Sequence, residues 1–359
     1  MMQYKKISFP KDSLPHDHII EWWYFNGHLH DKNGNHYAFM DCLFRADSKK
    51  VKIPFIKRVP WKYIYFSHSL LTDSRTKEFH SDINPLLAVS EDSFSKPLFY
   101  VNYTMPTFKG YFNYEMEQTS GSSFRVKSRF FDLVMRSRKR PLLEGGKGFL
   151  DLNGKQTYYY SLTNLQTEGW VAVKGKKIRV KGKSWMDHQW ADVAYSRDKW
   201  SWFSIQLDNN IEMVCFEYDD LKKKTCLMSM IDGHGRQKHT DDIRMTPLGK
   251  PWESPKTGAR YPLSWKIEVP SWGIELKTRH MIREQEMFSN MINYWEGPVL
   301  IEGKMGGKRV KGNGFMELAS YPMKKSITGV YRGEFRRILK KQMKITKDKF
   351  FNLDRWKIS

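Results

Sequence analysis

Residues 22–29 read Trp22-Trp-Tyr24-Phe25-Asn-Gly-His-Leu29, and residues 200–207 read Trp200-Ser-Trp202-Phe203-Ser-Ile-Gln-Leu207. Both stretches are rich in aromatic residues and short enough for a strand. The first is followed by His-Asp-Lys-Asn-Gly-Asn and a second apolar run, His36 to Phe44. The other is followed by Asp-Asn-Asn and the run Ile211 to Tyr218. Asn, Asp and Gly tolerate positive φ, so each pair reads as two strands joined by a tight turn. Most apolar segments of the chain share this form. The best helical candidate is the short basic stretch from Arg332 to Met343.

A second duplication follows the first. Arg179-Val-Lys-Gly182-x-x-Trp185-Met186-Asp187 recurs as Arg309-Val-Lys-Gly312-x-x-Phe315-Met316-Glu317, and the two motifs keep their order in both halves. A repeat this long is a whole domain rather than a solenoid unit. The expectation is an all-β protein of two tandem antiparallel β-barrels packed against each other. Residues 1–192 would form the first and residues 193–359 the second, with a short basic C-terminal tail. The boundary falls near the polar stretch Ala191 to Lys199. Strands closed on themselves leave no free edge and can enclose an apolar pocket.

At 359 residues the chain is long enough for two cores at ~150 residues per domain. With 40% hydrophobic and 15% aromatic residues it is not expected to be disordered. No apolar run approaches the length of a membrane span, and the opening residues lack the apolar stretch of a secretory signal. Cys42, Cys215 and Cys226 form no CxxC pair, so no disulfide framework is expected and a reducing, cytoplasmic setting fits. The net charge of +22 attracts anions, a nucleic acid or an acidic membrane surface. No nucleic-acid-binding motif accompanies it. Runs such as Lys177-Ile-Arg-Val-Lys181 alternate as a half-solvated strand does, which favours a lysine-rich surface; peripheral contact with anionic membrane stays open and nucleic acid is the weaker partner.

The densest candidate for chemistry is Ser184-Trp-Met-Asp-His-Gln-Trp190. A strand alternates faces, so Trp185 and Asp187 point one way, Met186 and His188 the other. A carboxyl held against an indole ionises with difficulty and can serve as a general acid. The alternative is a structural carboxylate capping backbone N–H groups at the domain junction. In the first strand Glu21, Trp23 and Phe25 share one face, Trp22 and Tyr24 the other. Glu296 and Glu317 are the C-terminal buried-acid candidates. His16-x-His18 with Glu21 has metal-ligand types, but in a loop-like setting it is expected to hold none. No nucleophile elbow, Walker loop or dinucleotide fingerprint is present.

Together EWWYFNGHL, KSWMDHQWAD, WSWFSIQLD, YWEGPVLIEG and GNGFMELASY resemble the carotenoid 1,2-hydratase (hydroxyneurosporene synthase) and AttH-like family, over roughly residues 15 to 322. The resemblance implies two lipocalin-like barrels and no cofactor. It implies a hydratase-type reaction on a lipophilic isoprenoid or polyene double bond. In the hydratases an aromatic-x-Asp element carries the acid, and Trp185-x-Asp187 is similar to it, with Trp where the carotenoid enzymes have Tyr. Tyr160 is the nearest match to an upstream aromatic that matters there. On this reading Asp187, Trp185 and Tyr160 are catalytic, and Trp22, Trp23, Tyr24, Trp190, Trp200, Trp202, Trp295 and Glu317 line the substrate. The other reading is a lipocalin-like carrier that binds an apolar ligand without chemistry.

Overall fold

The computed structural model describes residues 4–51, 62–87, 100–107, 110–193, 198–288 and 293–333. Its strands form two large antiparallel sheets. The first contains β1 (Ile20–His30), β2 (His36–Asp47), β3 (Tyr63–Asp73), β4 (Glu78–Leu87), β5 (Tyr100–Thr107) and β6 (Gly110–Ser120). It continues with β7 (Ser123–Lys127), β8 (Phe131–Ser137), β9 (Leu142–Leu143), β10 (Phe149–Leu152), β11 (Lys155–Val173) and β12 (Lys176–Ala191). The strand order β4-β3-β2-β1-β12-β11-β8-β7-β6-β5 places the first strand beside the last, which curls the sheet around its own core.

The second unit repeats the plan. It contains β13 (Lys199–Leu207), β14 (Glu212–Asp219), β15 (Lys224–Ile231), β16 (Gln237–Thr240) and β17 (Arg244–Pro247), then the small ladder β18 (Trp252–Glu253) and β19 (Arg260–Tyr261). β20 (Ser264–Val269), β21 (Ile274–His280), β22 (Glu286–Phe288), β23 (Asn293–Met305) and β24 (Lys308–Ala319) complete it. Here too the first long strand, β13, pairs with the last, β24. The architecture is nearly all β, two curled antiparallel sheets of lipocalin-like form. Residues 327–333 are helical, and the rest of the expected helix from Arg332 to Met343, with the basic tail, lies outside the described residues.

Turn chemistry sets the hairpins. Asn153-Gly154 and Lys174-Gly175 both hold positive φ at two successive residues, the two-residue turn whose twist matches that of the strands it joins. Three apolar clusters then organise the molecule. One fills the first barrel with Trp23, Phe25, Tyr160, Met186 and Trp190 among others. Another fills the second barrel around Phe203, Trp265, Trp295 and Met316. The third joins Tyr24, Tyr159, Trp185 and Leu150 of the first unit to Trp202, Phe216, Tyr294 and Phe315 of the second. It lies between the sheets, built from the face of each strand that points away from its own barrel.

The basic runs are partly spent on this contact. Within Arg136–Arg140, Lys139 donates to Glu212 and to the Asn210 carbonyl, and Arg140 donates to the Gly235 carbonyl. Lys177, Arg179 and Lys181 are exposed while Val180 between them is buried, a strand with one solvated face. No described helix is long and apolar enough to cross a membrane.

The repeated glycine of the Arg-Val-Lys-Gly motif has one cause in both halves. A Cβ on Gly182 would sit 1.9 Å from the His28 carbonyl oxygen, and one on Gly312 would sit 2.4 Å from that of Gln206. Both glycines let the last strand of their unit lie close against the first, Gly182 opposite Leu29 and Gly312 opposite Leu207. Gly182→Ala and Gly312→Ala are each expected to destabilise the fold by roughly 1–3 kcal/mol, measured by urea denaturation; an unchanged midpoint for both would contradict the close approach.

Candidate functional site

Cross-strand register decides which side chains meet between the sheets. Asp187 pairs with Tyr24 on β1 and with Ser161 on β11. Directly opposite residues share a face, so Tyr24, Asp187 and Ser161 look the same way, with Tyr159 two residues before Ser161. The second unit holds the matching set: Glu317 pairs with Trp202 on β13 and with Glu296 on β23, with Tyr294 two residues before. The duplicated motifs therefore present like faces to each other across the junction.

Asp187 is 3% exposed and takes hydrogen bonds from three side chains. Trp185 Nε1 donates at 2.6 Å and Ser161 Oγ lies 2.6 Å away, both at Oδ1, while the Tyr159 hydroxyl donates to Oδ2 at 2.8 Å. Trp202 Nε1 from the other unit donates to the Tyr159 oxygen at 2.9 Å. Burial pushes the Asp187 pKa up to about 7, against the opposing pull of those three donors. At neutral pH this carboxyl is poised between acid and base.

Two further acids face it. The Tyr24 hydroxyl donates to Glu296 Oε1 at 2.8 Å across the junction. Glu296 is fully buried, and burial followed by the charge of Glu317 holds its pKa well above the carboxylate range. Trp200 Nε1 donates to Glu317 Oε1 at 2.9 Å, and burial pushes Glu317 up to about 7. His68 Nδ1 lies 2.6 Å from the Tyr294 hydroxyl, and burial lowers its pKa to about 3, so the imidazole is neutral. Tyr24 and Trp202 meet edge to face with ring centres 5.3 Å apart. Trp22, Trp200, Phe44 and Glu317 are only partly buried and form the rim of the cluster.

Of the residues singled out from sequence, Asp187, Trp185, Tyr24, Trp202, Trp22, Trp200 and Glu317 gather here. Four do not. Tyr160, Trp23 and Trp190 point into the first barrel and Trp295 into the second. The reason is strand parity: each is one residue, or an odd number, away from a neighbour that faces the junction. Tyr160 accordingly approaches His188 Nδ1 at 3.2 Å, and its neighbour Tyr159 touches Asp187. Tyr159, Ser161 and Glu144 were missed. The Tyr158-Tyr-Tyr160 triplet offers two parities, and the choice needs the register of β11 against β12. Glu144 sits in a single 3₁₀ turn (Glu144–Gly146) that carries no sequence signal.

The metal-type residues assemble differently from His16-x-His18. His18 Nδ1 contacts Asp192 Oδ1 at 2.9 Å, and His188 takes its place beside Glu21. His16 Nδ1 and His188 Nε2 each lie 2.8 Å from Glu21 Oε1, with Arg45 Nη1 3.2 Å from Oε2. The N, N, O set is one that zinc or a related ion accepts. Each donor atom, however, is already turned into a hydrogen bond, and a cation would share the carboxylate with a guanidinium. The group therefore reads as a closed network at the end of the first barrel, stacked on Trp190 and Trp23.

The chain matches the model of the AttH-like family over residues 1–321. It belongs to that family. Among solved structures it is similar to an AttH-type protein of Nitrosomonas europaea, at TM-score 0.72 and 23% identity over 89% of this chain and 98% of that one. It is similar also to kievitone hydratase from Nectria haematococca, at TM-score 0.70 and 18% identity over 89% of this chain and 94% of that enzyme. Both likenesses concern the fold. In sequence it is 22% identical over 201 residues to the dehydratase asqC of Emericella nidulans, a match spanning 52% of this chain and 57% of that enzyme.

Burial opposes the charge on Glu21, but hydrogen bonds from His16 and His188 and their charges outweigh it, leaving the pKa at about 2. A carboxyl whose folded pKa lies below its ordinary value of 4.5 adds stability above that value and loses it as pH falls towards 2. Glu21→Gln is expected to cost roughly 3 kcal/mol at neutral pH, with the gap to the parent protein closing on acidification in parallel denaturation series. A constant gap would remove the ionic role.

Proposed function

We propose that this AttH-like protein is a cofactor-free hydro-lyase acting on a double bond of a lipophilic isoprenoid or polyene compound, or on the corresponding alcohol. One observation carries the reading: the Asp187 carboxyl is buried among Trp185, Tyr159, Tyr24 and Trp202 and has its pKa raised to about 7. A carrier needs only apolar lining. An acid kept out of water, fixed by three donors and joined to no cation, is an arrangement for proton transfer.

Hydration of a trisubstituted alkene begins with proton delivery to one carbon, which leaves a tertiary cation on the other. Protonated Asp187 supplies that proton. Tyr24 and Trp202 border the carboxyl, and their ring faces offer negative quadrupole density to the cation. Water then adds, and its surplus proton restores Asp187. Run backwards, the same groups remove water from the alcohol. The names of the fungal relatives, a hydratase and a dehydratase, support both directions. The Trp185-x-Asp187 element departs from the carotenoid enzymes in having Trp for Tyr, so it supports the wider class of lipophilic alkenes rather than a carotenoid, and the half-buried rings of Trp22, Phe44 and Trp200 form an apolar approach.

Asp187→Asn is expected to lower turnover about a thousandfold while the protein stays folded, because the amide keeps the shape of the carboxyl and sheds its desolvation cost, which offsets the one acceptor oxygen it loses. The measurement is mass spectrometry of the apolar compound that co-purifies, incubated in heavy-oxygen water with parent and variant. Uptake of the label by both proteins, or by neither, would sink the assignment.

A further inference from the structure

Asp187 has a neighbour that the reaction above does not use. Glu144, fully buried at the 3₁₀ turn before β10, reaches the back of Ser161. Ser161 Oγ lies 2.6 Å from Asp187 Oδ1 and 2.9 Å from Glu144 Oε1. A hydroxyl carries one proton and can donate to only one of two carboxylates; the other contact needs a proton on the second carboxyl. Two buried carboxyls joined through one hydroxyl therefore hold at least one proton between them.

The surrounding donors say which carboxyl holds it. Asp187 already accepts from Trp185 at Oδ1 and from Tyr159 at Oδ2. The Tyr159 oxygen is itself occupied by the Trp202 N–H, so its own proton goes to Asp187. Asp187 is thus an acceptor on both oxygens, and the Ser161 proton completes the set. Glu144 is left as the donor to Ser161.

We propose that Glu144, Ser161 and Asp187 form a proton relay in which Glu144 stores the acid proton and Ser161 passes it to Asp187. The proposal deepens the hydro-lyase reading and rests on it for its catalytic purpose. In the forward step the Glu144 O–H bond breaks as the Ser161 oxygen takes its proton. The Ser161 O–H bond breaks in turn as Asp187 Oδ1 gains one. Asp187 then protonates the alkene carbon, and the π bond becomes the new C–H bond. The water that adds to the cation returns a proton to Asp187, and the reverse transfer reloads Glu144. No proton is gained or lost over the cycle. Glu144 is a positioning and storage residue, not a group that touches substrate.

The pKa directions agree. Burial, then the charge of Asp187, pushes Glu144 up to about 8, against the hydroxyls of Ser229 and Ser161. Other titratable groups around the pair are Tyr159, Tyr24, Glu296 and Glu317 near Asp187, and Cys215 near Glu144.

The test is infrared difference spectroscopy of the full chain without ligand near neutral pH, reading the C=O stretch of neutral carboxylic acids. Glu144→Gln should remove one such band from the parent spectrum, and Asp187→Asn should keep it. Ser161→Ala should keep the band but move it to the higher frequency of an acid that donates to nothing. Loss of the band in Asp187→Asn instead of Glu144→Gln overturns the proposal, as does a band unmoved by Ser161→Ala or no band lost in either acid variant. Should Glu144→Gln fail to fold, the parent protein decides: titrated upward, it must lose one neutral-acid band around pH 8 that Ser161→Ala displaces. These spectra need no substrate, so a protein that proves to hydrate nothing would still show the shared proton. The failure of one reading is distinguishable from the failure of the other.

Discussion

Exclusion of water from the seam between two curled sheets is the constraint on which the site depends. Each barrel fills its own interior, and each also turns a second apolar face outward. Those outer faces would be exposed if either unit stood alone. Pressed together they bury Asp187, Glu296, Tyr24 and Tyr159. Taking an isolated carboxylate out of water costs several kcal/mol, so acids in such a seam either find donors or stay neutral. Asp187 has three donors and its pKa is pushed up to about 7; Glu296 has one, and burial with the charge of Glu317 holds its pKa well above the carboxylate range. The same burial thus raises the acids of both halves, Asp187 in the first and Glu296 and Glu317 in the second.

Duplication explains how the seam came to be furnished on both sides. Tyr24 opposite Asp187 corresponds to Trp202 opposite Glu317, and Tyr159 with Ser161 corresponds to Tyr294 with Glu296. The halves then diverge where chemistry needs them to. Ser161 supplies a small hydroxyl beside Asp187, where the second unit places the carboxyl of Glu296. Contacts cross the junction in both directions, Tyr24 to Glu296 and Trp202 to Tyr159. Neither unit has the complete site by itself.

Much of the architecture was legible in the residue string. The alternating aromatic runs and the two repeated motifs implied all-β units in tandem, and the pairing of Trp185 with Asp187 followed from period-two geometry within one strand. The junction contacts were not legible in the same way. Choosing between Tyr159 and Tyr160, or between Trp22 and Trp23, requires knowing which residue of one strand stands opposite which residue of another. A slip of one position sends every side chain to the other face. Tyr160, Trp23, Trp190 and Trp295 are aromatic for the sake of barrel cores, and composition alone does not separate them from rings that border a site.

The string by itself determined what depends on short-range order: strand period, turns rich in Asn and Gly, a glycine repeated in the Arg-Val-Lys-Gly motif of each half, and an acid held beside an indole. Only the tertiary structure decided that this acid looks outward from its own barrel, that the second barrel closes over it, and that Glu144 reaches it through Ser161. Contacts of that kind join residues far apart in the chain. They are set by sheet register and by the packing of one closed unit on another, neither of which leaves a local mark in the order of amino acids.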